Sequence, residues 1–155
     1  MATKRPSTRP RKPTRPTPKP RTPKIPVGAT GVDPQAVTLV RTKGGTKTGG
    51  GPGGEAWRVM VGSKSAGRVF INKIDEPPFG PHASIQIFLN VDSQGRGIGR
   101  LGYRRACEAS AYGTIYAHMR KSNIASARAA EAAGFVDATP AGTTQKVMVW
   151  RRGKS

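Results

Sequence analysis

The sequence predicts an α/β (α+β) fold, a mixed sheet with helices packed on it. Three observations lead there. An apolar run, Ser84–Val91, passes through Asp92-Ser93-Gln94-Gly95-Arg96-Gly97-Ile98-Gly99 into a helix-like segment, Arg100–Tyr112. Short β-rich runs come first in the chain, and strand, helix, strand, helix and strand then alternate to its end. An alanine-rich stretch, Ser122–Ala133, has the composition of a helix and meets its stop at Gly134.

Taken in order, a first strand is expected at Ala36–Arg41, followed by a mobile glycine loop, Gly44–Gly54. That loop lacks a Gly-Lys-Ser/Thr order and leads into a strand, so a nucleotide loop is not expected there. Trp57–Val61 and Gly67–Ile71 read as a hairpin around Gly62–Ala66. Pro77-Pro78-Phe79-Gly80-Pro81 forces a loop. Strands are expected next at Ser84–Val91 and Thr114–Met119. The second helix is capped by Ser122 or Asn123, and Lys146–Arg151 closes the sheet.

The 155 residues allow one modest domain with appendages. Three parts are expected: a basic tail at 1–26, a first strand and glycine loop at 27–55, and a core at 56–153. Eight prolines between Pro6 and Pro26 exclude a helix from the tail and favour a disordered, semi-stiff arm. Twenty-seven Lys and Arg face eight Asp and Glu, a formal net charge of +19. Nine of those cations lie in residues 4–24 with no acid among them, so non-specific binding of nucleic acid or another polyanion is expected there. No aromatic residue precedes Trp57, so the arm has no ring on which to stack a base. The single Cys107 excludes an intrachain disulfide and reads as a small buried hydrophobe. No secretory leader or membrane span is expected, which makes a soluble, cytoplasmic protein the default.

The turn at 94–99 has a chemistry of its own. Glycines let backbone approach a ligand closely, and the free N–H groups of a first helical turn point outward with a partial positive charge. Such a corner suits a phosphate, with Arg96 and Arg100 reinforcing it.

Gln94-Gly95-Arg96-Gly97-Ile98-Gly99 resembles the Gln/Arg-x-x-Gly-x-Gly/Ala signature of the GNAT superfamily of acyl-CoA-dependent N-acetyltransferases. Asn123 to Phe135, ending in Glu131-Ala132-Ala133-Gly134-Phe135, is similar to that family's second motif, and it follows in the right order. The resemblance covers about Trp57 to Arg151. It implies a GNAT-like mixed, mostly antiparallel central sheet with flanking helices and a splayed strand pair, here Ser84–Val91 beside Thr114–Met119, and first helices reduced or absent. It implies acetyl-CoA as co-substrate. The pantetheine arm would lie against backbone near Leu89 and Val91, and the pyrophosphate on Gly95, Arg96, Gly97, Ile98 and Gly99. Gln94, Arg100 and Asn123 would complete the set. No metal is implied.

Two expected catalytic side chains are not where the family places them. The tyrosine of the second motif falls on Ala130, and Ser84–Val91 contains no acid. Glu76 or Asp75 is then a candidate base, as is His82, although its place after Pro81 reads as surface loop. Tyr116, ahead of Tyr112, is the candidate proton donor to sulfur. His118, two residues from Tyr116, faces the same side of its strand and forms a pair with it. The space usually filled by the family's first helices holds only Gly44–Gly54, so the acceptor site is open, or completed by a partner or a second subunit in a homo-oligomer.

Two functions follow. The first is acetyl transfer to an amine on a protein or small molecule. The second is a non-catalytic GNAT-like structural or tethering module, anchored to nucleic acid or a nucleoprotein particle by its tail.

Overall fold

Strand propensity and strand pairing agree over most of the chain. In a computed structural model, residues 31–153 are described, and the basic tail lies outside them. Seven strands form one sheet: β1 (Val37–Thr42), β2 (Glu55–Val61), β3 (Lys64–Glu76), β4 (Gly80–Leu89), β5 (Thr114–Arg120), β6 (Val136–Asp137) and β7 (Gln145–Arg151). Their order is β1-β2-β3-β4-β5-β7-β6. Every neighbouring pair is antiparallel except β4 with β5. Two helices, α1 (Ile98–Ala109) and α2 (Ile124–Ala132), complete the fold.

α1 buries Ile98, Gly102, Tyr103, Ala106 and Cys107, a spacing that places them on one face. That face lies on the sheet over Val37, Trp57, Val59, Val69, Ile71 and Ile85, which form the core. α2 is small-chained and packs close to α1, where a Cβ on Gly99 would come within 3.4 Å of the Ala129 Cβ. The Arg152 guanidinium donates to the carbonyls of Cys107 (2.9 Å) and Ser110 (2.7 Å) at the end of α1. A cation there satisfies orphan carbonyls and opposes the negative end of the helix dipole.

Several elements depart from expectation. The first hairpin turn is only Gly62-Ser63, and β3 begins at Lys64. The proline cluster confines its turn to Pro77–Phe79, so β4 resumes at Gly80 and His82 lies within a strand rather than on a surface loop. The β4 strand stops at Leu89, and Val91–Ser93 is a 3-10 turn. The first helix spans Ile98–Ala109 rather than Arg100–Tyr112. The glycine loop is folded against the sheet: the Asn72 side chain accepts from the Gly49 amide (2.8 Å) and donates to the Lys47 carbonyl (2.7 Å).

Gly67 marks a register shift between β2 and β3 and a close approach to β4. A Cβ there would come within 2.0 Å of the Phe88 carbonyl oxygen, a backbone atom that cannot swing aside. Gly67→Ala is expected to destabilise the fold by about 3 kcal/mol, the upper range for overpacking, read as a lower urea midpoint. A midpoint equal to the parent's would contradict that register.

Candidate functional site

β4 and β5 are joined over two residue pairs only, Ala83 with Ile115 and Ser84 with Tyr116. Beyond them Ile85–Leu89 continues without that partner, while β5 stays paired with β7 up to Arg120. The sheet is therefore split from Ser84 and Tyr116 onward. The Asn90 amide donates to the Ala66 carbonyl of β3 (2.8 Å). Alternation along a strand then turns the amides of Leu89 and Ile87 to the other edge, into the split.

On the helix side the split opens into a cleft of about 480 Å³. Ile87 and Leu89 form its floor, and Gln94, Gly95, Gly97, Gly99 and Arg100 form one wall. Tyr103 of α1 also lines it, and Asn123, Ala125, Ser126, Arg128, Ala129 and Ala132 form the other wall. The lining carries two arginines and no acid. Gly95 and Gly97 have φ of 72° and 80°, left-handed geometry that favours glycine. Gly97 caps α1 with no side chain. Among the described residues, no protein group accepts from the amides of Gly95, Arg96, Gly97, Ile98 or Gly99. Five such donors at a positive helix end form a cradle for an anion.

Most of the residues assigned to acyl-CoA from sequence meet here: Leu89, Gln94, Gly95, Gly97, Gly99, Arg100 and Asn123 line the cleft. Three stand differently. Val91 has left the strand and is 56% exposed on the 3-10 turn, outside the lining. The Arg96 carbonyl accepts from the Val32 amide (3.0 Å), and its side chain is not in the cleft. The Ile98 side chain is buried in the core, leaving only its amide to the turn. Gly99 faces α2 and Leu89, so its missing Cβ serves helix packing as well as the cleft. Asn123 caps α2, its Oδ1 accepting from the Ser126 amide (3.2 Å). Sequence reasoning missed Ile87, Tyr103, Ser126 and Arg128. Tyr103 and Ser126 share a hydroxyl hydrogen bond of 2.8 Å across the two helices, a contact no local motif announces.

On the opposite face, at the apex of the same split, lies an aromatic cluster. The Tyr116 ring is 4.5 Å from Phe79 and 5.1 Å from His82. His82 and His118 face each other with their Nε2 atoms 2.9 Å apart, and His82 Nδ1 is 2.7 Å from the Gly80 carbonyl oxygen. A carbonyl only accepts, so His82 Nδ1 carries hydrogen and donates. In the neutral ring His82 Nε2 is then an acceptor, and His118 Nε2–H donates to it. His118 Nδ1 is left with its lone pair. Burial holds the His118 imidazole below its ordinary value, the nearby His82 lowers it further, and Glu76 works in the opposite direction. A neutral, oriented imidazole with one bare nitrogen is a competent base at neutral pH.

Glu76 and His118 line a shallow hollow with Phe79 and Thr143. Asp75 pairs with Pro81 and alternates to the other face, away from the histidines. The Tyr112 hydroxyl donates to the Gly53 carbonyl and is held by the glycine loop. Burial, the main cause, and the Glu55 charge raise its pKa, which suits it poorly to proton donation.

No family model matches the sequence, and no curated protein does. Solved structures do match in fold. One is an acetyltransferase described as putative, from Salmonella typhimurium, with its cofactor acetyl-CoA; it has 15% identity, a TM-score of 0.53, and covers 64% of this chain and 65% of that one. Another is spermidine N-acetyltransferase from Vibrio cholerae in complex with CoA and spermine, with 24% identity, a TM-score of 0.51, and 66% and 68% covered. A third is ribosomal-protein-S5-alanine acetyltransferase from Vibrio fischeri, with 21% identity, a TM-score of 0.52, and 65% and 63% covered. The chain spans just under two thirds of the first of these. The fold is the GNAT-like one that the two motifs imply.

Proposed function

We propose that this chain, which shares its fold with acetyltransferases, is an acetyl-CoA-dependent N-acetyltransferase acting on an amine of a protein or small molecule. One juxtaposition carries the reading. An anion-binding cleft and a proton-accepting cluster lie on opposite faces of one split in the sheet. The cleft fits the co-substrate by its chemistry: unpartnered amides and Arg100 for phosphates, and an apolar floor with turned amides for a long polar arm. Acetyl-CoA supplies an activated acetyl group as a thioester.

The chain's residues then divide the work. The amides of Gly95–Gly99 hold phosphate. The amide of Ile87 or Leu89 stabilises negative charge developing on the acyl oxygen. His118 Nδ1 takes the proton that the attacking amine must lose, and His82 keeps the donor nitrogen of that ring engaged. Tyr116, paired with Ser84 at the apex, returns a proton to the departing sulfur. Glu76 favours a cationic amine beside His118.

The spermidine and ribosomal-protein neighbours act on amines, which supports an amine acceptor without fixing which one. The tethering reading draws on the nine cations of residues 4–24, and the two readings are compatible. No helix among the described residues is long and apolar enough to cross a membrane.

Thermal unfolding tests the reading. Acetyl-CoA at roughly 100 times its Kd is expected to stabilise the protein by about 2.7 kcal/mol, and a panel of amines to release free thiol. An unchanged Tm in excess acetyl-CoA and CoA would remove it.

A further inference from the structure

The face of the sheet that carries the histidines is covered by no helix among the described residues, since α1 and α2 both pack on the other. Away from the histidines this face presents one cross-strand row. Val40 on β1 lies opposite Arg58 on β2, Arg58 opposite Arg68 on β3, and Arg68 opposite Phe88 on β4. Phe88 is 52% exposed. Its ring stacks on the buried Phe70 at 5.8 Å, and the Arg68 guanidinium lies 5.6 Å from Phe88 and 5.9 Å from Phe70. An open hollow of about 500 Å³ surrounds them, lined further by Thr42, Thr48, Ser65 and Asn90 and by no acid.

We infer that this row is a binding platform for single-stranded nucleic acid. The Arg68 guanidinium lies over both rings, so its plane and the exposed part of Phe88 together offer a base a stacking surface. Two arginines beside it, with no carboxylate to neutralise them, offer two phosphate contacts at strand spacing. Threonine, serine and asparagine side chains suit sugar and phosphate oxygens.

Charge rules out the other occupants. The chain's own segment before residue 31 carries nine cations in residues 4–24 and no aromatic ring, so it is repelled and has nothing to stack. A second copy brings a net charge of +19. A cationic amine substrate belongs beside Glu76, at the other end of the face. The platform differs from the basic tail in kind: the tail reads charge alone, whereas Phe88 adds a contact that requires a base. It stands independently of the transferase reading.

Fluorescence anisotropy with a labelled ten-nucleotide single strand, on the full chain, tests it. Inorganic polyphosphate and polyglutamate serve as competitors. The tail is present in every variant, so its contribution cancels. Phe88→Ala is expected to weaken oligonucleotide binding about tenfold and leave polyphosphate competition unchanged. Phe88→Trp is expected to restore the affinity, which separates stacking from damage to the fold. The Arg58→Ala, Arg68→Ala double variant is expected to weaken binding and to flatten the slope of log K against log salt by about 1.4, the loss of two single-strand phosphate contacts. Equal oligonucleotide affinity in Phe88→Ala and the parent would overturn the proposal. So would an equal loss of polyphosphate binding, or a preference for polyglutamate over the oligonucleotide.

Discussion

His118→Ala is expected to lower kcat for acetyl transfer by about a hundredfold or more, the usual contribution of a positioned base, while acetyl-CoA affinity stays within twofold. The cleft and the imidazole lie on opposite faces of the sheet, so removing the ring leaves the co-substrate's contacts in place. His82→Ala is expected to cost less, because His82 orients its neighbour and does not itself take the proton. The double variant is expected to be no worse than His118→Ala alone, since the two rings act as one unit.

The same ring makes a pH prediction. Its folded-state pKa is depressed below the ordinary value, with burial the first cause. The unfolded chain therefore binds its proton first as pH falls below about 6.5. The stability is fully present above that pH and is lost as pH falls toward the folded pKa. Urea midpoints at successive pH values read this, and His118→Ala should remove that part of the slope. An imidazole Cε1–H resonance of His118 that titrates above the ordinary histidine range would contradict the assignment. Full activity in His118→Ala would exclude the ring as base.

Ala125→Trp is expected to abolish stabilisation by acetyl-CoA without changing the fold. Ala125 is exposed on the first turn of α2 and lines the cleft, so an indole there extends into the space between the helices rather than into the core. It is a cleaner probe than Gly97→Trp. Gly97 has φ of 80°, so any side chain there strains the backbone whether or not a ligand binds. The loss should appear as a Tm that no longer responds to ligand, beside a ligand-free Tm within a few degrees of the parent. An Ala125→Trp protein that still gained the full stabilisation would place the co-substrate elsewhere.

The anion cradle was legible because its chemistry is local. Two left-handed glycines, a strand running in and a helix running out lie within eleven residues, from Leu89 to Gly99. The capping Asn123 and the stop at Gly134 were legible for the same reason. The cluster of Tyr116, His82 and His118 was only half legible. Tyr116 and His118 sit two apart on one strand, but His82 reaches them across 36 residues of sequence through the β4–β5 register. A proline at 81 argued for a loop, and the hairpin's tightness overrode it.

Glycine content does not show how the Gly44–Gly54 loop is held, because its long-range contacts come from two distant side chains, Asn72 and Tyr112. The two-residue strand β6 has no periodicity to detect, and it exists only because β7 offers it an edge. The bare arginine and phenylalanine row was invisible in sequence, since four strands each contribute one residue to it.

Amide chemical-shift mapping by NMR during a titration with CoA tests the central claim most directly. The split sheet predicts that Ile87, Leu89 and Gly95–Gly99 move first and furthest, with Asn123 and Ser126 following, while Val40, Arg58 and Arg68 on the opposite face stay still. Saturating CoA that leaves the Gly95–Gly99 amides unmoved, or moves only residues away from the β4–β5 divergence, would contradict it.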